Sequence, residues 1–142
     1  MPKKLRDFVA AARSRIQEVS PEALEEMRAQ RPDLLILDVR ETYEFEEGHI
    51  EGAHCIPRGL LEPAADPDYK RPDPVLSTAY ERPVVVYCST GGRSALAAAT
   101  LMDMGYAEVY NLAGGCENWL AEDLPMVTGA APRPAPTPAP AA

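Results

Sequence analysis

Two short runs of uninterrupted apolar residues constrain the fold of this chain more than any other feature. Residues 34–37 (LLIL) and 84–87 (VVVY) follow turn-forming residues and lack the alternation of a half-exposed strand. Such runs are typical of strands buried on both faces, which occur in parallel sheets that helices cover. The segments around them have helical propensity. The chain therefore predicts an α/β fold in which strands and helices alternate.

The 142 residues fit one domain, and the predicted elements fill most of it. Besides the two buried runs, we expect short strands at 16–19, 53–56 and 109–112. Ser20 and Pro21 are typical of a helix start, as the capping residue and the first-turn residue. Strands of this kind, separated by helices, indicate a parallel sheet covered on both faces.

The two ends of the chain differ from the part between them. Residues 1–15 are basic and carry apolar side chains at helical spacing, which predicts an amphipathic helix that packs on the domain or docks to a partner. Residues 127–142 are rich in proline and alanine and are predicted to be a disordered tail, either inert or a ligand for a proline-recognising partner. The domain is assigned to residues 16–126, with a long irregular loop at 60–82.

The formal net charge of −8 argues against nucleic acid as a partner, because phosphates require a basic face. No apolar run approaches the roughly 18 residues of a membrane helix, so no membrane association is expected. The three cysteines lie at long spacings that match neither a disulfide framework nor a zinc site. With no signal peptide in view, we expect a cytoplasmic protein. The basic start also has some features of a transit peptide, although Asp7 and Glu18 interrupt it.

The second apolar run leads directly into Cys88, and the residues after it carry the chemistry. Gly91 and Gly92 form a turn before a helix that begins near Arg93. Such a turn directs several backbone N–H groups at one place and adds the positive end of the helix dipole, which favours a nucleophilic thiolate. Arg93 offers a planar fork that suits a tetrahedral oxyanion. Hydroxyl donors come from Ser89, Thr90 and Ser94.

The residues alone leave a second interpretation of this segment open, in which Cys88 is a buried structural cysteine and the glycines only make a turn. If the site binds an anion, it must overcome the repulsion of an acidic protein. We therefore expect the site to be locally positive, with Arg93 and the backbone N–H groups as the source of that potential.

Other candidates follow neighbouring strands, since parallel sheets bind ligands at their carboxyl ends. Asp38 and Arg40 end the first apolar run and are predicted to support the site from behind, with a structural ion pair as the alternative. Arg58 follows Pro57 at another strand end. It either contacts substrate at the mouth of the site or is solvated or paired elsewhere.

Three segments of the chain resemble those of single-domain rhodaneses, a family of thiosulfate sulfurtransferase-like proteins. They are LLILDVRETYEFEEGHIEGAHCIP (34–57), VVVYCSTGGRSALAA (84–98) and GYAEVYNLAGGCENWL (105–120), in the family's order. The resemblance implies a doubly wound five-stranded parallel sheet with helices on both faces. It also implies that Cys88 takes up sulfane sulfur as a persulfide and passes it to a thiophilic acceptor.

In this interpretation Cys88 is the catalytic residue. The substrate-binding groups are Ser89, Thr90, Gly91, Gly92, Arg93, Ser94 and Arg58. The donor is thiosulfate, another small sulfur-containing anion or a persulfide, and the acceptor is cyanide, a thiol or a protein. No cofactor and no metal are expected.

Two other functions stay open. The first is a cysteine phosphatase or arsenate reductase, whose fold rhodaneses can share. Four residues separate Cys88 from Arg93, whereas related phosphatases have five, which widens the ring of N–H donors. The second is a sulfur-relay or regulatory module that binds a partner and has weak thiosulfate activity.

Cys55 and Cys116 have no assigned role. Cys116 follows Gly114 and Gly115 at the start of the last predicted helix, where its thiol would be somewhat acidified. It could resolve a persulfide on Cys88, or both cysteines could simply be small packing residues.

Overall fold

The computed structural model of the protein describes residues 1–130. Most of the predicted tail, residues 131–142, lies outside the described residues. Within residues 1–130 there are six α-helices and five strands. In chain order they are α1 (Leu5–Arg13), β1 (Gln17–Val19), α2 (Pro21–Gln30), β2 (Leu35–Asp38), α3 (Thr42–Glu47), β3 (His54–Cys55), α4 (Leu61–Ala65), β4 (Pro83–Tyr87), α5 (Gly92–Asp103), β5 (Glu108–Leu112) and α6 (Gly115–Ala121). No helix in this part of the chain has both the length and the apolar character to cross a membrane.

The five strands form one sheet in the order β1-β5-β4-β2-β3, and all neighbours run parallel. From β2 the chain moves out to β3, returns past β2 to β4, and continues to β5. The direction of winding thus reverses between β2 and β4, at the centre of the sheet. The predicted doubly wound, five-stranded parallel sheet is confirmed.

Alternate residues of the central strands face opposite sides and build two cores. On one side, Leu37 and Val86 pack beneath α4 and α5. On the other, Ile36 and Val85 pack against the side chains of α2, α3 and α6, with Trp119 fully buried among them. Apart from the half-buried Leu34, both apolar runs are buried because helices cover both faces.

The N-terminal helix α1 packs on the outside of α5. Val9 and Ala12 meet Ala95 and Ala99 in a small apolar cluster. Phe8 of the same helix stays 52% exposed. Of the two roles predicted for this helix, packing on the domain is therefore the one that the structure shows.

The segment 60–82, predicted to be a long irregular loop, contains α4 and the 3₁₀ turn Leu76–Thr78, and another 3₁₀ turn, Arg58–Leu60, leads into it. Leu61 and Leu76 are fully buried against the sheet. The prolines shape this segment, while its apolar side chains complete the core.

The chain remains attached to the domain beyond residue 126. Val127 forms an antiparallel bridge with His49, and the Gly129 N–H donates to the Glu46 carbonyl at 3.2 Å. The boundary predicted between residues 126 and 127 is therefore placed too early. The boundary is predicted from composition, which does not register a backbone bridge.

Candidate active site

Cys88 lies at the carboxyl end of β4, the central strand, at the start of the turn into α5. We call residues 88–91 the Cys88 loop. The Cys88 side chain is buried, and Ser94 in the first turn of α5 is buried beside it. The reversal of winding between β2 and β4 leaves this end of the sheet as the expected place for a ligand.

Three hydrogen-bond donors surround the sulfur of Cys88. The Gly91 N–H lies 3.1 Å from Sγ, the Ser94 N–H 3.4 Å and the Ser94 hydroxyl 3.3 Å. All three belong to the turn and the first residues of α5, where the positive end of the helix dipole also acts. The arrangement is suited to holding negative charge on sulfur, as a thiolate or as a terminal persulfide.

The peptide of Gly91 is held from behind by Asn111 of β5. Gly91 adopts φ +104°, a left-handed conformation that favours glycine. The buried Asn111 amide donates to the Gly91 carbonyl at 3.2 Å and to a Glu18 carboxylate oxygen at 3.0 Å. Asn111 is not among the residues predicted from the sequence, although a polar residue within a strand that is otherwise largely apolar is a usable signal.

The N-terminus of α6 holds the other side of the loop. The Cys116 N–H donates to the Cys88 carbonyl at 2.9 Å, and the Glu117 N–H donates to the Ser89 carbonyl at 3.0 Å. Between them, Gly115 lies so close to the loop that a Cβ there would be 2.5 Å from backbone atoms of Cys88 and Ser89. The second glycine of the Gly-Gly pair is thus required by a close approach of two backbones.

Arg93 is not a free cation at the mouth of the loop, contrary to expectation. Its guanidinium donates to both carboxylate oxygens of Glu44, at 2.8 and 3.1 Å. The hydrogen bond from Arg93 lowers the pKa of Glu44 to about 2, against the opposing effect of burial. The site is therefore not locally positive through Arg93, because a carboxylate of α3 balances that charge.

The remaining loop residues differ in what they contact. The Ser89 hydroxyl joins the Arg93–Glu44 pair, donating to Glu44 at 3.3 Å and accepting from Arg93 at 3.2 Å. Thr90 is exposed, and its side chain makes no hydrogen bond within residues 1–130. Gly92 begins α5 beneath Val9 of α1. Of the predicted hydroxyl donors, only Ser94 reaches the sulfur.

Asp38 and Arg40 form a buried ion pair next to the loop. The Arg40 guanidinium donates to Asp38 Oδ2 at 2.7 Å and to the Gly48 carbonyl at 2.7 Å, and it lies over the ring of Tyr87. Burial disfavours the charged form of Arg40, but the hydrogen bonds and charge of Asp38 outweigh it and raise its pKa. The structural ion pair given as an alternative is what the structure shows.

Arg58 is directed away from the Cys88 loop. Its guanidinium donates to Glu62 at 2.9 Å and to the Thr100 hydroxyl at 3.3 Å. Thr100 lies eight residues into α5, about 12 Å along the helix from the turn. Of the two roles expected for Arg58, pairing elsewhere is the one observed, because the strand end places its backbone but not its side chain.

Cys116 and Cys55 are free thiols on the other side of the loop. Burial raises the pKa of Cys116, so its thiol is not acidified by the helix start as the sequence suggested. Burial, with the nearby charge of Asp38, also raises the pKa of Cys55, to about 12. Neither is poised as a thiolate at neutral pH.

Comparison with known proteins places this site in a family. The model of the rhodanese-like domain matches residues 20–122. A sulfurtransferase of Allochromatium vinosum is 34% identical over 112 residues, which are 79% of this chain and 95% of that protein. The thiosulfate sulfurtransferase GlpE of Stutzerimonas stutzeri is 32% identical over 103 residues, which are 72% of this chain and 84% of GlpE.

A solved structure from Rhodopseudomonas palustris, described as a protein of unknown function and possible tyrosine phosphatase, is also similar. Its TM-score is 0.80 at 31% identity, over 89% of this chain and 96% of that one. The family match covers four of the five strands, the Cys88 loop and the helix that clamps it. On this evidence the chain belongs to the rhodanese-like domain family.

Proposed function

We propose that this protein transfers sulfane sulfur through a persulfide on Cys88. The observation that carries the proposal is the set of three donors around Cys88 Sγ, at 3.1 to 3.4 Å. Similarity to two proteins named as sulfurtransferases supports the class of reaction. No cofactor is needed for this chemistry.

In the loading step, the Cys88 thiolate attacks the outer sulfur of thiosulfate or of a persulfide donor. With thiosulfate, a new S–S bond forms at Cys88 as the donor's own S–S bond breaks, and sulfite leaves with the electron pair. Negative charge moves from Sγ to the terminal sulfur. The N–H groups of Gly91 and Ser94 stabilise that charge.

In the unloading step, the acceptor attacks the terminal sulfur and Cys88 leaves as a thiolate. Cyanide, a small thiol or a protein cysteine would each serve as acceptor. We assign the Ser94 hydroxyl and the Gly91 N–H as the hydrogen-bond donors that act on the sulfur of Cys88. Ser89, Thr90, Gly92 and Arg93 then form the rim that a substrate meets, and Asp38 and Arg40 remain a structural ion pair beside it.

The Arg93–Glu44 pair favours a second candidate, a sulfur-relay module with weak thiosulfate activity. A dianionic donor gains less from an arginine whose fork already holds a carboxylate. A persulfide donor does not depend on that fork to the same extent. Slow turnover with thiosulfate and fast turnover with a persulfide would select this candidate over a thiosulfate enzyme.

The test is an intact-mass measurement after incubation with thiosulfate or with a small-molecule persulfide. We expect an adduct of one sulfur atom that cyanide removes, absent from Cys88→Ser and present in Cys116→Ser. An adduct that survives in Cys88→Ser contradicts the assignment. Hydrolysis of an aryl phosphate without any sulfur adduct would instead support a phosphatase.

A further inference from the structure

A groove of about 430 Å³ opens between α3 and α6, beside the Cys88 loop. Its walls include Glu44, Glu47, Cys116, Leu120, Met126 and Val127. Apart from Arg40 and Glu44, the residues that line the groove have no role in the transfer chemistry. It is formed only where the segment after α6 returns to pair with His49.

The groove adjoins the reactive sulfur. Glu44, in its wall, contacts the Ser89 hydroxyl and the Arg93 guanidinium. Cys116, also in its wall, donates its N–H to the Cys88 carbonyl. A molecule that lies in the groove therefore reaches the rim of the Cys88 loop.

The groove is acidic. The chain has no lysine or arginine in residues 41–57 or 94–130, which supply most of its walls. Arg40 also lines the groove, but it is buried and paired with Asp38. Exposed carboxylates on the surrounding helices belong to Glu46, Glu47, Glu117 and Glu122. Within residues 1–130 none of these four is in an ion pair.

The same groove exposes large apolar side chains. Leu120 of α6 is 52% exposed and Val127 is 37% exposed. Both face the groove between the acidic helices. Apolar side chains rimmed by charge of one sign are typical of a surface that binds another protein.

From this charge and apolar surface, we infer that the groove docks a basic, cysteine-bearing segment of a partner protein that exchanges sulfur with Cys88. The inference rests on the proposed function and specifies its partner. Lysine or arginine side chains meet the carboxylates of Glu47 and Glu117, and an apolar side chain meets Leu120. A small dianion finds only repulsion there.

The exchange needs no further reactant. The partner's thiolate forms a bond to the terminal sulfur of the Cys88 persulfide, and the bond between that sulfur and Sγ breaks. The electron pair returns to Cys88, which is left as a thiolate, and the partner carries the persulfide. The reverse step loads Cys88 from a persulfidated partner.

The test uses two synthetic acceptor peptides with one cysteine and one leucine, flanked by lysines in one and by glutamates in the other. Cys88 is loaded with a small-molecule persulfide, and kcat/KM for transfer is measured for each peptide. The readout is the lysine-to-glutamate ratio, compared between the natural chain and the charge-reversed variant Glu47→Lys/Glu117→Lys. Intrinsic thiol reactivity cancels in this comparison, because the same two peptides are used with both proteins.

We expect the ratio to fall about tenfold in the charge-reversed variant, and the difference to shrink at high salt. Glu81→Lys is the control, since Glu81 is exposed beside the amino end of β4, away from the Cys88 loop, and should leave the ratio unchanged. Transfer to cyanide should be the same in all variants, since Glu117 holds the loop only through its backbone N–H, which the substitution keeps. Failure of cyanide transfer in the natural chain would count against the proposed function, not against the docking site.

An unchanged ratio in the charge-reversed variant overturns the inference. A second copy of this chain as the occupant would also overturn it. That outcome would appear as a dimer in light scattering that Leu120→Lys dissociates, whereas we expect Leu120→Lys to weaken transfer to the lysine peptide without changing the oligomeric state.

Discussion

Arg93 and Glu44 lie 49 residues apart in sequence and meet through two hydrogen bonds, of 2.8 and 3.1 Å, above the Cys88 loop. The pair links α5 to α3 and includes the Ser89 hydroxyl. It neutralises the arginine that follows the Cys88 loop. The charge at the mouth is therefore decided by a residue from another element.

Removing the charge of Glu44 should improve the use of thiosulfate. In Glu44→Gln, Arg93 becomes free to face a dianion, while one hydrogen-bond acceptor is retained. We expect kcat/KM for thiosulfate to rise about fivefold at low salt, since a unit charge beside a dianion is worth on the order of 1 kcal/mol. Steady-state kinetics at two ionic strengths will measure this. A fall in kcat/KM would mean that the pair is needed to position Arg93.

The same pair should weaken only in acid. The pKa of Glu44 is lowered from 4.5 to about 2, first by the hydrogen bond from Arg93. Because the pKa of Glu44 is lower in the folded chain than in the unfolded chain, the stabilisation by the pair is fully present above the unfolded-state pKa. It is lost as the pH falls through the folded-state pKa. We expect the stability difference between the natural chain and Glu44→Gln to be constant above about pH 5.5 and to shrink between about pH 4.5 and 2. Urea unfolding at a series of pH values tests this, and a difference that changes near pH 6 would contradict it.

Gly115→Ala should disrupt the site although it removes none of the groups that donate to the sulfur of Cys88. The new Cβ would lie 2.5 Å from backbone atoms of Cys88 and Ser89, at a residue with φ +63°. Displacing α6 breaks two hydrogen bonds to the loop, so we expect a loss of about 2–4 kcal/mol in unfolding free energy and a large loss of transfer activity.

The matched control for this substitution is Gly105→Ala. Gly105 also has a positive φ, of +102°, but nothing lies within 4 Å of the position of its Cβ. We expect only the backbone strain, about 1 kcal/mol, with activity retained. Equal losses in the two variants would show that strain, and not the contact with the loop, is what Gly115 avoids.

Ser94→Ala should slow the chemistry of the thiol itself. It removes one of the three donors to Cys88 Sγ, at a helix position where alanine is well tolerated. A lost hydrogen bond of about 1 kcal/mol predicts about fivefold slower alkylation of Cys88 by iodoacetamide at neutral pH. In Ser89→Ala, whose hydroxyl contacts Arg93 and Glu44 but not the sulfur, the rate should change little.

The features that sequence reasoning predicted well are local in the chain. The two apolar runs identified β2 and β4 because strands covered on both faces exclude polar residues. The donors to Cys88 come from Gly91 and Ser94, within six residues of it, so the turn and helix start position them directly. The helix start at Ser20 could be predicted for the same reason, and the Ser20 hydroxyl accepts a hydrogen bond from the Ala23 N–H.

The residues that it missed act across long separations. Glu44 sits in an acidic helix that looks like a solvated face, and no spacing pairs it with Arg93. Asn111 reaches Gly91 across 20 residues. Arg58 shows the opposite error. Its position after a strand suggested that it lies at the site, but its side chain is directed toward Thr100.

The sequence by itself determined the parallel sheet and the cysteine in a glycine-rich turn before a helix, since both depend on side-chain polarity and local backbone preferences. Only the tertiary structure decided the charge of the site, the clamp from α6 and the acidic groove. Those depend on which side chains of α3, β5 and α6 converge at one end of the sheet. Charged side chains are long, and their direction is set by the partners that burial leaves available, not by their place along the chain.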